Sequence, residues 1–393
     1  MNQGRKEKAK ARKPRENQRK IFASFLVFLR AFALNASDSL PGPPMYRIQI
    51  TPQWQLAQGA GFDGLPRLIA LLVAVHDTGT LRAACARLGL SYRHAWGLIK
   101  RAEGHFGAPF LISRRGQGAK LSALGEKLVW ADRRIAARLG PVMDSLSAEI
   151  ETEIERALTQ AQGILRLHAS HGFAVETLRA RFSEQGLPLD LRYCSSTEAL
   201  AGLAQGRCDL AGFHVPTGRF ETAMRAHYGH WLDPARHRLI QLATRRQGLM
   251  AAPGNPLGIT GLGDLTRPGL RFVNRQPEAA TRYLLDLMLK DAGVEPRQIT
   301  GYDVTEFTHA AVAAYIASDM ADVGFGVETP AQRFGLHFLP LITERYYFAC
   351  TTEWLASTAA DAVLDELRNP ELRARINALA GYDAMDSGTV LGL

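Results

Sequence analysis

Cysteine is scarce in this 393-residue chain: Cys85, Cys194, Cys208 and Cys350 lie far apart and form no CxxC pair. That spacing excludes a disulfide framework and points to a reducing cytoplasm. Long apolar runs are lacking as well. The most apolar stretch of the first fifty residues, 21–34, holds Arg30 and is too short to cross a bilayer, so no membrane partner is expected. Acidic residues are few at the front: residues 1–44 and 45–122 each carry ten Lys/Arg against three Asp/Glu, whereas 123–393 carry 27 against 32. Affinity for a polyanion therefore belongs to the first third of the chain. A nucleotide loop is missing too, since GLGDL at 261–265 lacks the third glycine of GxGxxG. What is present, 46% hydrophobic and 22% charged residues over this length, suits a globular chain of two or three domains.

The most informative stretch is 80–101. Leu81, Ala84 and Leu88 stand three and four apart, on one face of a helix that Thr78 or Thr80 can cap. Gly89 can close that helix in the left-handed conformation, and Ser91 can cap a second one. There Ala95, Leu98 and Ile99 point inward, leaving Tyr92, Arg93, His94, Lys100 and Arg101 outward. Two short helices around a glycine turn make either a helix-turn-helix for a major groove or a helical hairpin with a basic face; spacing alone does not separate them. The next segment does. FLISRRGQGAKLS, after Pro109, has two apolar stretches around a Gly-rich loop, the pattern of a two-stranded basic wing that can grip phosphate. Candidate DNA contacts are thus Thr80, Ser91, Tyr92, Arg93, His94, Trp96, Lys100 and Arg101 in the helices and Arg114, Arg115 and Lys120 in the wing. Double-stranded DNA is the expected partner.

These residues also resemble a known family. Ser91-Tyr92-Arg93-His94-Ala95-Trp96, the wing and the Leu-Ser-x-x-Gly entry at 121–125 are similar to the winged domain of ModE-type molybdate-responsive regulators, relatives of the LysR type, over residues 62–158. The resemblance implies DNA binding as a homodimer, with pairing into tetramers left open.

Ahead of this motif, RLIALLVAVH at 67–76 reads as the buried first helix of the domain. Behind the wing, Leu124, Leu128, Ala131, Ile135, Leu139, Val142, Leu146, Ile150, Ile154 and Leu158 recur at threes and fours, one stripe along a helix of about 35 residues. Such a stripe needs a partner; a second copy is the natural one, and its own domain is the alternative. Gly140-Pro141 is expected to kink or break the helix near Leu139. At the very front, the basic start, the apolar 21–34 and SDSLPGPP outline a secretory signal. A DNA-binding domain behind one makes little functional sense, so 1–44 is expected to be a disordered extension before a native start at Met45.

From 163 onward, ILRLHAS, LDLRYC, CDLAGFHV, HRLIQLAT and LRFVNR are strand-like and alternate with helical segments such as 175–185 and 197–205. The expected fold class is α/β with an N-terminal α+β winged helix: extension 1–44, winged helix-turn-helix 45–121, dimerisation helix 122–160, and a doubly wound, two-lobed sensing domain 161–393. Ligand candidates sit at strand ends, where open α/β sheets bind ligands. They are Ser170 and His171, Ser195, Ser196 and Thr197, Asn274 and Arg275, Thr281 and Arg282, and Thr308 and His309. Hydroxyl, amide and guanidinium groups with no catalytic carboxylate beside them suit anion capture better than turnover.

RQGLMAAPGNPLGITGLGDL, LRFVNRQ, ATRYLLD, GYDVTEFTHAAVAAYIASDMADVGFG and LPLITERYYF resemble the periplasmic-binding-protein-like domain that accompanies ModE-type winged domains and molybdopterin-biosynthesis proteins, over residues 163–355. That resemblance implies two lobes closing on molybdate, tungstate or the molybdenum cofactor as effector, with no cofactor otherwise required. Members of the family commonly carry Gly-Ser-Gly-Thr-Arg where this chain has Glu278-Ala279-Ala280-Thr281-Arg282. One hydroxyl and two glycines are lost, which points to a larger ligand, a different one, or none.

Other residues have plainer readings. His168 with His171, and His227, His230 and His237 near Trp231, have mixed spacing and no cysteine pair, so no metal site is expected. Glu344-Arg345 reads as a hinge or interlobe contact, and Tyr346 and Tyr347 as packing. The leading expectation is a cytoplasmic, homodimeric, ligand-responsive transcription regulator. Its rivals are an enzyme of molybdenum-cofactor chemistry and a DNA-binding protein whose sensor no longer binds a ligand.

Overall fold

A computed structural model of the chain describes residues 48–55, 62–114, 118–159 and 164–393. The expectation for 1–44 lies outside the described residues, as does Arg115. Helix α1 (Leu65–Thr78) is buried along one side, and α2 (Leu81–Leu88) and α3 (Tyr92–Phe106) follow it. Thr80 caps α2, its Oγ1 accepting the Ala83 amide at 3.1 Å, and Ser91 caps α3 by accepting the His94 amide at 3.2 Å. Between them Gly89 takes φ 63°, the left-handed turn that a side chain would resist. Leu81, Ala84, Ala95, Leu98 and Ile99 are buried as their spacing demands. Leu88 is not: it is 36% exposed on the last turn of α2, and Cys85 and Leu90 fill the inner side instead.

The wing is β1 (Leu111–Arg114) paired antiparallel with β2 (Gly118–Leu121), Ile112 opposite Lys120. Ser122 then starts α4 (Ala123–Thr159), accepting the Gly125 amide at 3.1 Å and donating to the Pro109 carbonyl at 2.6 Å. Glycine is required at 125, because a Cβ there would stand 2.6 Å from the Phe110 carbonyl oxygen.

The expected break at Gly140-Pro141 does not occur; α4 continues through it for 37 residues. Proline has no N–H to give the carbonyl four residues back, so Ala137 O lacks its helical donor. The Thr308 hydroxyl supplies one at 3.0 Å. Around this point α4 is fixed to the rest of the chain on both sides. Arg134 donates to Ser318 Oγ at 3.2 Å and the Arg138 Nε to both Glu306 oxygens at 3.0 and 2.8 Å. Farther along, Ser145 Oγ accepts the Tyr193 amide at 3.2 Å, Arg179 pairs with Glu151 at 2.9 Å, and Ala148 is fully buried. The helix therefore packs on its own domains through one face. Its stripe is divided: Leu124 and Leu128 pack against the core of the winged domain, whereas Leu139, Val142, Leu146 and Ile150 are exposed by 40, 57, 46 and 38%.

The remaining elements are β3 (Leu165–Ala169), α5 (Phe173–Glu184), β4 (Leu189–Tyr193), α6 (Ser196–Ala204), β5 (Leu210–Pro216), α7 (Glu221–Tyr228), β6 (His237–Ala251), β7 (Phe272–Arg275), α8 (Ala280–Asp291), β8 (Thr305–Glu306), α9 (His309–Ala317), β9 (Val323–Val327), α10 (Glu328–Arg333) and β10 (His337–Thr351). The chain closes with α11 (Thr352–Leu355), α12 (Thr358–Arg368), α13 (Pro370–Asn377), β11 (Tyr382–Asp383) and β12 (Val390–Leu391). One sheet runs β4-β3-β5-β10-β6-β9-β7-β8, with β11 and β12 added on β6. Strands β3, β4 and β5 are parallel and form one lobe; β7, β8 and β9 are parallel and form the other. The two long strands, β6 and β10, pair antiparallel and pass through both. Strand β5 takes Glu344 to Ala349 of β10 and β9 takes Gln247 to Ala251 of β6, so the lobes meet where Glu344 faces Arg245. The sequence reading had only the first half of β6. Among the described residues no helix is long and apolar enough to cross a membrane, and all four cysteines are free.

Candidate DNA interface and ligand cleft

Helix α3 presents its N-terminal turn to solvent. Arg93, His94 and Arg101 are exposed, and their side chains have no hydrogen bond or ion pair among the described residues. Tyr92, 55% exposed, stacks flat on Trp96 with ring centroids 6.4 Å apart. Lys100 is less free than the sequence implied. Its Nζ lies 2.7 Å from Glu103 and 5.2 Å from the Trp96 ring, and Glu103 also accepts the Phe110 amide at 3.1 Å. Thr80 and Ser91 are exposed, but their oxygens serve as caps. Lys120 is exposed on β2, and Arg114 ends β1 toward the wing tip.

In the sensing domain a cavity of about 790 Å³ opens at the carboxyl ends of β3, β4, β7 and β8. Of the predicted ligand residues, Ser170, His171, Ser195, Ser196, Arg275, Thr281, Thr308 and His309 line it. Thr197, Asn274 and Arg282 do not. Asn274 is buried, its amide nitrogen donating to Tyr302 O at 3.2 Å and its oxygen accepting the Arg275 amide. Arg282 donates to the carbonyls of Arg275 and Tyr302 and lies over the Tyr302 ring. Thr197 Oγ1 turns to Ser195 Oγ, 3.0 Å away.

Three lining residues are already occupied. Ser195 and Glu198 close a capping box at the start of α6, with Ser195 N 2.8 Å from the Glu198 carboxylate. The chain's own anion thus sits where an anionic ligand was expected. Thr308 caps α9, accepting the Ala311 amide at 2.9 Å while donating to Ala137 O. His171 Nε2 lies 2.8 Å from Glu176 and 3.8 Å from Asp144. Burial alone would lower its pKa, but hydrogen bonds and charge from Asp144 and Glu176 carry it up to about 9, so it is an imidazolium at neutral pH. Their ligand atoms lie within 4.8 Å of one another, the one such cluster among the described residues, but the ring's proton already compensates the carboxylates. Two of the histidines grouped near Trp231 are engaged away from the cleft: His227 stacks on Tyr283, and His237 Nδ1 accepts the Asp233 amide.

What remains is a floor of buried polar groups, several of them without partners, that the sequence reading only half identified. Arg245 is buried against Glu344, Nε and Nη2 each 3.0 Å from its carboxylate, and Gln247 also donates to Glu344. Arg275 donates to the Phe307 carbonyl at 2.6 Å, yet its buried Nε has no partner. Burial and then the Arg245 charge press the Arg275 pKa down to about 9, which leaves it cationic at neutral pH. His214 Nε2 and His309 Nδ1 are likewise buried without partners. Burial, aided by the charges of Arg245 and Arg275, holds both rings well below the ordinary histidine range, so each is neutral and offers one N–H. Ser196 Oγ is unpartnered too, as is Gln276 Oε1, an acceptor, and no side chain caps α8, whose first residues Ala279 and Ala280 line the cleft. Cys194 is no nucleophile here, since burial pushes its thiol up to about 12. The arrangement suits holding an anion by fixed donors. Arg245, His214 and Gln276 were missed; the signal for His214 was a polar residue inside a strand buried at all seven positions.

Residues 66–126 match the family of bacterial regulatory helix-turn-helix proteins of the lysR type, and 177–368 match the PBP superfamily domain. The chain thus carries a segment similar to lysR-family helix-turn-helix proteins followed by one similar to the PBP superfamily domain. Among curated proteins it is similar to the uncharacterized protein YvgK of Bacillus subtilis (strain 168), 30% identical over 203 residues that cover 51% of this chain and 64% of that protein. It is also similar to the molybdenum-pterin-binding protein MopB of Rhodobacter capsulatus, 32% identical over 89 residues (22% and 33%), and to the HTH-type transcriptional regulator AbaB of Streptomyces antibioticus, 28% identical over 150 (37% and 46%). The chain spans less than two thirds of the length of each of these three relatives.

Proposed function

We propose that this protein is a ligand-responsive transcription regulator that binds DNA as a homodimer. The observation that carries the reading is α4, one helix that belongs to both functional ends. At its start Arg133 pairs with Asp77 of α1 and Trp130 stands edge-on to His76; farther along it is fixed to both lobes of the ligand cleft. In this reading Arg93 reads base edges in a major groove and Lys120 holds backbone phosphate. Ile150, exposed farther along the helix and outside the cleft, leaves apolar surface that a second copy of the helix would cover. The effector is an anion, with molybdate, tungstate and the molybdenum cofactor as candidates. The fixed donors of the cleft and the similarity to MopB support this class, and the cavity's size favours the cofactor.

The test is selection of bound sequences from random duplex DNA, followed by titration of the enriched site with each candidate effector. A two-fold site is expected, with an effector-dependent change in affinity of about 5–150-fold. No enrichment would sink the DNA assignment, and an affinity indifferent to all three effectors would sink the molybdenum one.

A further inference from the structure

We propose that the cleft takes an anion carrying an apolar body, and that α4 forms one wall of that site. This rests on the reading of the cleft as an anion site and narrows what the anion must be. The cavity is chemically divided. Its unpartnered nitrogens, Arg275 Nε, His214 Nε2 and His309 Nδ1, are buried atoms, whereas its remaining boundary includes Leu139, Val142 and Leu146 of α4 and Phe307, which is 66% exposed. The volume, about 790 Å³, lies in the range of pockets for drug-sized ligands, while a tetrahedral oxyanion would fill only a small part of it. A bare oxyanion held at Arg275 would leave the apolar rim in water. A molecule with an anionic head at Arg275 and an apolar body lying toward Val142 and Leu146 would satisfy the donors and dehydrate the rim together.

The position of that rim gives the ligand a direct hold on the DNA-bearing helix. Leu139 and Val142 lie on the span of α4 between its pins, Ala137 and Arg138 on the Thr308 side and Ser145 on the Tyr193 side, and Leu146 follows directly after Ser145. An occupant touching this span bears on α4 itself, in addition to any closure of the two lobes.

The experiment uses the full chain and isothermal calorimetry with a matched set of probes: 2-naphthalenesulfonate, sulfate and molybdate as heads without a body, and 2-naphthol as a body without charge. 2-Naphthalenesulfonate is expected to bind once per chain and at least about tenfold more tightly than each of the others. Arg275→Met should weaken all anions. Val142→Ala with Leu146→Ala, at exposed positions that do not support the core, should weaken the naphthalenesulfonate at least about fivefold and leave sulfate unchanged. Molybdate or sulfate binding as tightly as the naphthalenesulfonate, with Arg275 dependence retained, would overturn this inference and leave the anion site standing. Indifference of the naphthalenesulfonate to the α4 pair would remove α4 from the site. Absence of Arg275-dependent binding by any probe would overturn both readings.

Discussion

On the winged domain Arg93 and Arg101 stand in solvent without partners among the described residues, whereas at the cleft Arg245 is buried against Glu344 and Arg275 is half-buried, holding a backbone carbonyl with its Nε out of reach of water. The same side chain thus works under two regimes. An exposed guanidinium is cheaply left unpaired, is screened by salt, and suits a long polyanion met at many points. A buried one is costly to desolvate and persists only with a partner or a fixed frame, which suits one small anion held by geometry. Position in the fold, more than residue type, decides which kind of ligand an arginine serves.

The largest effect should come from removing the partner of a buried cation. Glu344→Ala is expected to cost about 3–5 kcal/mol of stability, because it strands Arg245, while Arg93→Ala should stay within about 0.5 kcal/mol; urea unfolding of both would check it. Near-equal losses would break the comparison. Next comes acid. His214 and His309 are held well below 6.5, so the unfolded chain takes up protons before the folded one does. Stability should fall as pH drops below 6.5, by about 1.4 kcal/mol per unit for each histidine until its folded pKa is reached. Urea midpoints at pH 6.5 and 5.5 measure this, below the range in which the raised His171 adds stability as pH falls, and His309→Gln should shrink the difference.

On the DNA side the effects are smaller and of another kind. Arg93→Ala should remove about 1–3 kcal/mol of discrimination at one base pair, read by competition binding with single-base variants of the selected site. Lys120→Ala should weaken all sequences alike and lower the slope of log affinity against log salt by about 1. Lys100→Ala should change that slope less, because Glu103 already holds its charge. Equal slopes for the two lysine variants would show that the Lys100–Glu103 pair opens on DNA.

Legibility in the sequence followed the same division. The winged domain could be read almost residue by residue, since capping, the Gly89 turn and the inward face of α3 depend on neighbours within a few positions. The exception was Leu88, which matched the period but fell on the last turn of its helix. In the cleft, strand ends and hydroxyl-bearing turns pointed to the right place, and Ser170, Arg275, Thr281 and His309 all line it. Sequence could not tell which of those groups were already engaged. Glu198 occupies Ser195, and Glu176 occupies His171, through folded geometry. Arg245 and Glu344 are about a hundred positions apart and meet only because β6 and β10 align them. The course of α4 over the cleft was illegible for the same reason.

Pro141 invites a reversal of the usual logic of helix engineering. Any ranking by helical propensity would recommend Pro141→Ala, and an isolated helix would gain from it. In this chain the new N–H would compete with Thr308 for the Ala137 carbonyl. A stiffer α4 could then come with a weaker grip on the sensing domain, visible as slower amide exchange along the helix and faster exchange at the start of α9. The residue that looks like damage to the helix is what lets another part of the protein take hold of it.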